Sequence, residues 1–393
     1  MAELGVRTLR CGEEPPAAVA EAGGLYVHVP FCVSKCRYCG FYSVPTAGRD
    51  TGRLVAALLR DLDRYDGIEF RTAYIGGGSP TALPAEQLLA LARRIRERFA
   101  RIEEFTVECN PGQVGIELLW ELRRAGVNRL SFGAQSFHAA ELQLLGRGHC
   151  VEDIGRAVKL ARRAGFDNIG LDLIFAIPGS TLGDWQSSVE AAVGLGVPHV
   201  SAYSLTFEAG TVFDVWRQAG RLCPVDEELD RAMYDWAVER LGTAGLAQYE
   251  ISNFARSGFE CLHNLGYWAN RPFVGIGPGV ASYWKGTRTA NDPNIERYTA
   301  AVEAGAEVPS EVQRVSGEDV ICETAVLNLR RRSGIHLTEF RQRTGCDAMR
   351  TFAGPIQHYQ GLGLIEVTDE AVRLTRQALP IADSILCDFA ALE

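Results

Sequence analysis

The stretch that decides the fold runs from Leu25 to Ser43, LYVHVPFCVSKCRYCGFYS. A short β-branched run, Leu25 to Val29, stops at Pro30 and delivers Cys32, Cys36 and Cys39, spaced C-x-x-x-C-x-x-C. Thiols set at the end of a strand place reactive chemistry where α/β proteins carry their sites. Working outward, the same rhythm recurs. Strands are expected at Leu25 to Val29, Thr72 to Ile75, Phe105 to Glu108, Arg129 to Phe132, Ile169 to Phe175 and Val200 to Tyr203. Amphipathic helices are expected at 52–65, 84–100, 114–125, 151–164 and 183–194, with Leu, Ala and Ile at three- and four-residue spacing. Such alternation reads as an α/β chain of about six βα units around a parallel sheet. Nearly every strand is followed by a chemically unusual loop: the cysteines, Gly76-Gly77-Gly78-Ser79-Pro80, Glu108-Cys109-Asn110-Pro111, Gly133-Ala134-Gln135 and Ile177-Pro178-Gly179. In a barrel these loops converge on one mouth.

Composition agrees. At 393 residues the chain is long enough for two to three domains. An apolar fraction of 47% with 23% charged residues is that of a soluble globular protein and excludes disorder and collagen. A formal charge of −9 argues against sequence-independent capture of nucleic acid. Neither a cleavable apolar leader nor a run approaching the roughly 18 apolar residues of a membrane span is seen, so the expected compartment is the cytoplasm and no integral membrane protein is expected. Eight of the 11 cysteines are scattered singly, which is no disulfide framework.

A helix is expected at 226–244, and the Gly- and aromatic-rich run CLHNLGYWANRPFVGIGPGVASYW, from Cys261 to Trp284, suits an ordered loop or strand segment covering a site. Beyond about residue 310 the texture changes. Helices at 318–331, 336–343 and 348–360, a strand pair between Gly363 and Leu374 and a last helix from 376 read as a small α+β module of winged-helix type. The expected organisation is an N-terminal segment 1–23, a barrel with its extension over 24–310, and the C-terminal module 311–393.

Three local thiols without a fourth ligand suit an iron–sulfur cluster with one open iron; a structural zinc site, drafting His28 or Cys109, is the alternative. Gly76-Gly77-Gly78 lets backbone approach a ligand closely, and it is no phosphate loop, since G-x-x-x-x-G-K-[ST] is absent. Glu108 and Asp172 are acids at strand ends, suited to a ribose hydroxyl or an ammonium.

The cysteine segment resembles the signature of the radical S-adenosylmethionine (radical SAM) superfamily, which implies a partial (β/α)6 barrel and a [4Fe–4S] cluster on Cys32, Cys36 and Cys39 whose open iron is chelated by S-adenosylmethionine. The ordered series YIGGGSPT, TVECNP, RLSFGAQSF, LLGRGH, LDLIFAIPGST, SAYSLTFEAGT and RLTRQALPIADSIL is similar to one branch of that superfamily. This branch holds oxygen-independent coproporphyrinogen III dehydrogenases and haem chaperones. The resemblance implies that Tyr38 touches the adenine, that Tyr26 and Gly77 lie at the cofactor with Glu108 as its acidic partner, and that Gly78, Ser79, Gln135, Arg147 and Asp172 contact one or two S-adenosylmethionine molecules. It assigns no catalytic residue.

Three features separate the two siblings. Phe41 stands where the dehydrogenase pattern has a fourth cysteine, only about 24 residues precede the first strand, and His263-Asn264-Leu265-Gly266-Tyr267-Trp268 matches the H-N-x-x-Y-W motif of the chaperone branch. A histidine among aromatics can offer an imidazole to haem iron and a flat wall to the macrocycle, so His263 is the candidate haem ligand, expected at the barrel mouth, with Cys261 and Tyr267 weaker. One departure is that chaperone relatives often carry G-x-G-A-H, where this chain reads Gly277-Pro278-Gly279-Val280-Ala281. The resemblance thus implies a chaperone carrying haem as cargo to acceptor proteins, with a low-potential electron donor as partner. The alternatives are oxidative decarboxylation of coproporphyrinogen III, and a radical methyltransferase or haem-degrading enzyme.

Overall fold

The computed structural model describes residues 23–392; Cys11 and the rest of the expected N-terminal segment up to residue 22 lie outside the described residues. Six parallel strands stand where the alternation places them, each one to three residues longer at an end: β1 Gly23–Val29, β2 Phe70–Gly77, β3 Glu104–Cys109, β4 Arg129–Gln135, β5 Asn168–Phe175 and β6 His199–Ser204. They are joined by crossover helices that include α1 Thr51–Leu62, α2 Ala85–Arg98, α3 Ile116–Arg124, α4 Val151–Arg163 and α5 Leu182–Gly194. The helices start where the sequence supplies caps. Asp50 accepts from Arg53 N, and Thr181 and Asp184 form a reciprocal capping box.

The six strands lie in sequence order inside a 12-stranded sheet that is open among the described residues. Beside β1 runs Phe273–Ile276, parallel, then the antiparallel strands Ala281–Trp284, Thr287–Asn291 and Ser310–Arg314. Beyond β6 lie the antiparallel Asn253–Ala255 and Ala247–Gln248. The chain is therefore an α/β partial barrel.

Period-two alternation divides the two faces of the strands. Leu25, Val27, Ile75, Val107, Leu130, Leu171 and Val200 are sealed beneath the helices and form the core. The other face turns Tyr26, Tyr74, Thr106, Glu108, Ser131, Asp172, Ser201 and Tyr203 into the lumen, with Tyr74 beside Thr106, Glu108 beside Ser131 and Asp172 beside Ser201. The apolar core thus lies outside the barrel and the lumen is polar.

The C-terminal module packs the helices Gly317–Leu329, Leu337–Thr344, Ala348–Thr351, Ala353–Gly361 and Ala382–Cys387 around a three-stranded sheet of Ile335–His336, Ala371–Leu374 and Ile365–Val367. The single helix expected at 348–360 is two, because Phe352 leaves helical geometry (φ −114°, ψ 34°) and packs its ring between Phe340 and Phe389. The run from Cys261 to Trp284 begins with a helix, Leu262–Trp268, that the composition did not announce. Among the described residues no helix is long and apolar enough to cross a membrane.

Candidate functional site

At the C-terminal end of β1 the chain turns through Phe31–Cys32, which pairs with Val44–Pro45, and Thr46 N donates to Cys32 O at 2.9 Å. The intervening cysteine loop is pinned from outside. Arg37 N donates to Leu145 O (3.0 Å), and its guanidinium donates to the carbonyls of Gln143 and Leu144 (2.9 and 3.0 Å). Cys32, Cys36 and Cys39 remain partly accessible, and burial pushes the Cys32 and Cys39 thiols upward. Arg147, just after the helix Ala139–Leu145, brings a positive charge to them: one terminal nitrogen lies 3.5 Å from Cys36 Sγ, the other donates to Gly133 O at 2.7 Å, and Nε is buried without a partner.

Those residues fit a thiolate-bound cluster. Among the described residues no group of three or more His, Cys, Asp or Glu side chains is set to hold a single metal ion. A cubane asks less convergence of its ligands, since each thiolate takes a different iron, and the Arg147 guanidinium 3.5 Å from Cys36 Sγ can offset the negative charge of such a cluster.

The glycine loop ends β2 against the same region. Gly77 has φ +113°, and a Cβ there would stand 2.4 Å from His28 Nδ1. A Cβ on Gly78 would stand 2.6 Å from Phe31 O, and one on Gly76 would stand 2.9 Å from the Glu108 carboxyl. Only glycines permit this packing. Gly77 N donates to Glu108 Oε2 (3.0 Å) and Tyr74 OH to Oε1 (2.8 Å). Burial, helped by the nearby Asp172, nonetheless pushes the Glu108 carboxyl up to about 7. Asp172 accepts from Ser201 Oγ (2.7 Å) and Ser131 Oγ (3.2 Å) and is also pushed up by burial. Gln135 sits at a bulge with φ +67°, a strained value for a non-glycine residue, and its amide lies with the Arg147 guanidinium over the bare α-carbon of Gly133. Tyr26 OH lies 3.3 Å from His28 Nδ1, and Tyr38 packs 6.4 Å from Phe213 between ring centroids. Ser79 is committed elsewhere, donating to Gln113 Oε1 at 2.8 Å.

The structure therefore brings Arg147 and Tyr38 to the cysteines at the barrel mouth, with Gly77, Gly78 and Gln135 at the ends of their strands, while Glu108, Asp172 and Tyr26 line the lumen beneath, the Tyr26 ring 6.4 Å from that of His263. A polar, glycine-cleared lumen with carboxylates on one side and Arg147 on the other fits a zwitterionic cofactor such as S-adenosylmethionine. Sequence reading missed Tyr74, Ser131, Ser201 and Tyr203. Their signal was available: the inward positions of successive strands are polar at every second residue.

His263 is not at this mouth. Its Nδ1 meets Thr72 Oγ1 at 2.8 Å, and Thr72 is the third residue of β2, about 16 Å of strand below Gly77. Its Nε2 meets Tyr267 OH at 2.9 Å, and a Cβ on Gly24 would come within 3.0 Å of the imidazole. Helix Leu262–Trp268 thus plugs the opposite, N-terminal end of the barrel. Glu104, the buried first residue of β3, holds the plug by accepting from Leu262 N (2.9 Å) and His263 N (3.0 Å), a carboxylate at a helix N-terminus. Cys261 Sγ lies 3.5 Å from the same carboxylate and is buried. Burial depresses the His263 imidazole to about 3, with buried Arg129 adding to the effect, so the ring is neutral. The expected position at the mouth is corrected: the motif closes the floor. A shallow cleft opens to solvent there, with His263, Tyr267 and Phe273 among its walls.

Comparison with known proteins agrees with this architecture. Residues 26–192 match the Radical SAM superfamily and residues 315–381 the HemN C-terminal domain. The chain is 35% identical over 371 residues to the protein named heme chaperone HemW of Bacillus subtilis (strain 168), covering 93% of this chain and 98% of that protein. It is 39% identical over 284 residues to heme chaperone HemW of Escherichia coli (strain K12), covering 70% and 72%. Among solved structures, coproporphyrinogen III oxidase (HemN) of Escherichia coli superposes with a TM-score of 0.81 at 21% identity, over 95% of this chain and 91% of that one, so the two share the fold. A polar-lumened partial barrel with three thiols at its mouth, a HemN-type C-terminal domain and end-to-end kinship with these relatives make the chain a member of the HemW family of radical SAM proteins.

Proposed function

We propose that this protein is a haem chaperone with two separate stations. Cys32, Cys36 and Cys39 hold a [4Fe–4S] cluster and the surrounding lumen holds S-adenosylmethionine; haem is carried at the floor cleft and passed to acceptor proteins. The cytoplasm is the proposed compartment, the barrel over 24–310 and the module 311–393 the proposed division, and a low-potential electron donor the proposed second partner. When bound, the cluster supplies an electron and an open iron for the cofactor.

The protein's own residues bind and orient. Arg147 faces a carboxylate and Glu108 and Asp172 face an ammonium or hydroxyl, while Tyr26 and Gln135 contact the cofactor, Gly77 and Gly78 leave it room and Tyr38 gives the adenine a ring to lie on. Ser79 supports the loop through Gln113. A cation arriving beside Glu108 draws the proton off its carboxyl, since a neighbouring positive charge favours the ionised form.

The observation that carries the haem reading is His263. A neutral imidazole is the form that ligates iron; the buried His263 ring packs against Tyr26, Tyr74 and Tyr267, and the hydrogen-bond partner of its Nε2 is the Tyr267 hydroxyl, at the edge of an aromatic cleft. Ligation requires the Tyr267 side chain, hydroxyl and ring together, to swing off the imidazole. Phe41, 73% exposed where a dehydrogenase has a cysteine, offers the cluster loop no fourth thiol. Haemin titrated into anaerobically reconstituted protein and followed at the Soret band is expected to saturate at about one haem per chain, with the saturable phase lost in His263→Ala. Unsaturable uptake by the unaltered protein would contradict the proposal.

A further inference from the structure

Two side chains at the floor cleft have no task in that reading. Arg271 follows the plug helix, is exposed, and among the described residues its guanidinium makes no hydrogen bond or ion pair. Arg71 precedes Thr72 on β2 and is held by Glu103 at 2.8 Å, an exposed pair that a competing anion can exchange. Both line the same cleft as His263, Tyr267 and Phe273. Gly266, three residues after His263 and so on the same side of the helix, would meet nothing within 4 Å of an added Cβ. The wall beside the imidazole is consequently bare and flat. A chain of net charge −9 repels a dianion unless positive charge is set locally where the anion docks. The cleft is shallow and opens directly to solvent, so a large flat ligand would lie against it by one edge and leave the rest accessible.

We propose that Arg71 and Arg271 are carboxylate anchors: the cleft recognises a planar apolar ligand bearing two carboxylates along one edge, and the two guanidinium groups pair with them at the rim. The inference rests on the reading of the floor cleft as the cargo site and adds what that site selects for. Guanidinium forks match carboxylates in pairs of parallel hydrogen bonds, so the anchors fix the orientation of the macrocycle as well as adding affinity. Seated by that edge, the ligand turns its metal toward His263 and its far edge outward, where an acceptor can take it.

The test compares haemin with haemin dimethyl ester in Soret titrations of the unaltered protein, Arg71→Gln, Arg271→Gln and the double variant. The unaltered protein is expected to prefer the diacid, each substitution to weaken haemin on the order of tenfold, and ester binding to stay unchanged throughout. Added salt is expected to weaken haemin in the unaltered protein and much less in the double variant. Equal affinity for haemin in the double variant and the unaltered protein overturns the anchors, as does a parallel loss of diacid and ester. Failure of the underlying reading looks different: His263→Ala then leaves both the affinity and the Soret position of haemin as they were, whatever the arginines do.

Discussion

The two ends of the barrel are built on opposite principles. At the mouth, the ligand-facing groups are cleared of side chains by Gly76, Gly77 and Gly78, the carboxyls of Glu108 and Asp172 are held by hydroxyls and a backbone N–H, and Arg147 keeps one nitrogen unpartnered. At the floor, the plug helix is tied down by specific bonds: His263 spends both ring nitrogens on Thr72 and Tyr267, and Glu104 caps the helix. Side chains bonded to a packed helix make a closure, whereas carboxyls and a guanidinium around a space cleared by glycines make a receptacle. The difference teaches that the family motif containing His263 serves first as a lid on the barrel, so its use as a ligand requires Tyr267 to let go.

Four measurements bear on this contrast. The largest is expected from Cys32→Ala, Cys36→Ala and Cys39→Ala together, which should abolish bound iron and acid-labile sulfide in reconstituted protein while leaving haemin affinity at the floor within about twofold. Loss of haem binding in that variant would join the two stations into one.

Next comes Gly77→Ala. The added methyl has φ +113° and a contact of 2.4 Å to His28 against it, and His28 is itself fixed by Tyr42 O at 3.0 Å. A loss of roughly 2 to 3 kcal/mol in unfolding free energy is expected, with S-adenosylmethionine binding abolished by calorimetry. Unchanged cofactor affinity would remove the glycine loop from the site.

The third concerns pH. Glu108 has a folded-state value of about 7 against an ordinary 4.5, so the native protein binds more protons between those values. Stability is therefore undiminished below the lower value, falls as pH rises through the interval, and carries the full penalty above 7. Glu108→Gln is expected to raise stability at pH 8 by about 2 kcal/mol in cofactor-free protein and to change it little at pH 5, read from urea unfolding at both pH values. A gain equal at both would assign the effect to packing instead.

The smallest is Thr72→Val, which keeps the shape of the side chain and removes the hydroxyl at His263 Nδ1. A cost of about 1 kcal/mol is expected, together with faster amide exchange in helix Leu262–Trp268 and no change in cluster content. Unaltered exchange there would show that the hydroxyl does not hold the lid.

What the sequence revealed follows the same division. The six strands and the cysteines are local signals, set by alternation over a few residues or by spacing inside eight, and the structure keeps them with bounds shifted by one to three residues. The plug helix was invisible because Leu262–Trp268 is rich in residues of poor helix propensity, including His263, Asn264, Gly266, Tyr267 and Trp268. It forms because Glu104, 158 residues away from Leu262, accepts its first N–H groups. The lumen network escaped for a similar reason. Glu108 with Tyr74, and Asp172 with Ser131 and Ser201, are contacts between neighbouring strands separated by whole βα units. Phe352 shows the converse, a local helical pattern overruled by a ring that packs better outside it.

The separation of the two stations is tested most directly by measuring cluster absorbance and the haem Soret band side by side in two variants, His263→Ala and the triple cysteine-to-alanine chain. Each variant is expected to lose one chromophore and keep the other. A His263→Ala protein that retains saturable haem, paired with a cysteine variant that loses it, would move the haem to the mouth and contradict the assignment of the floor.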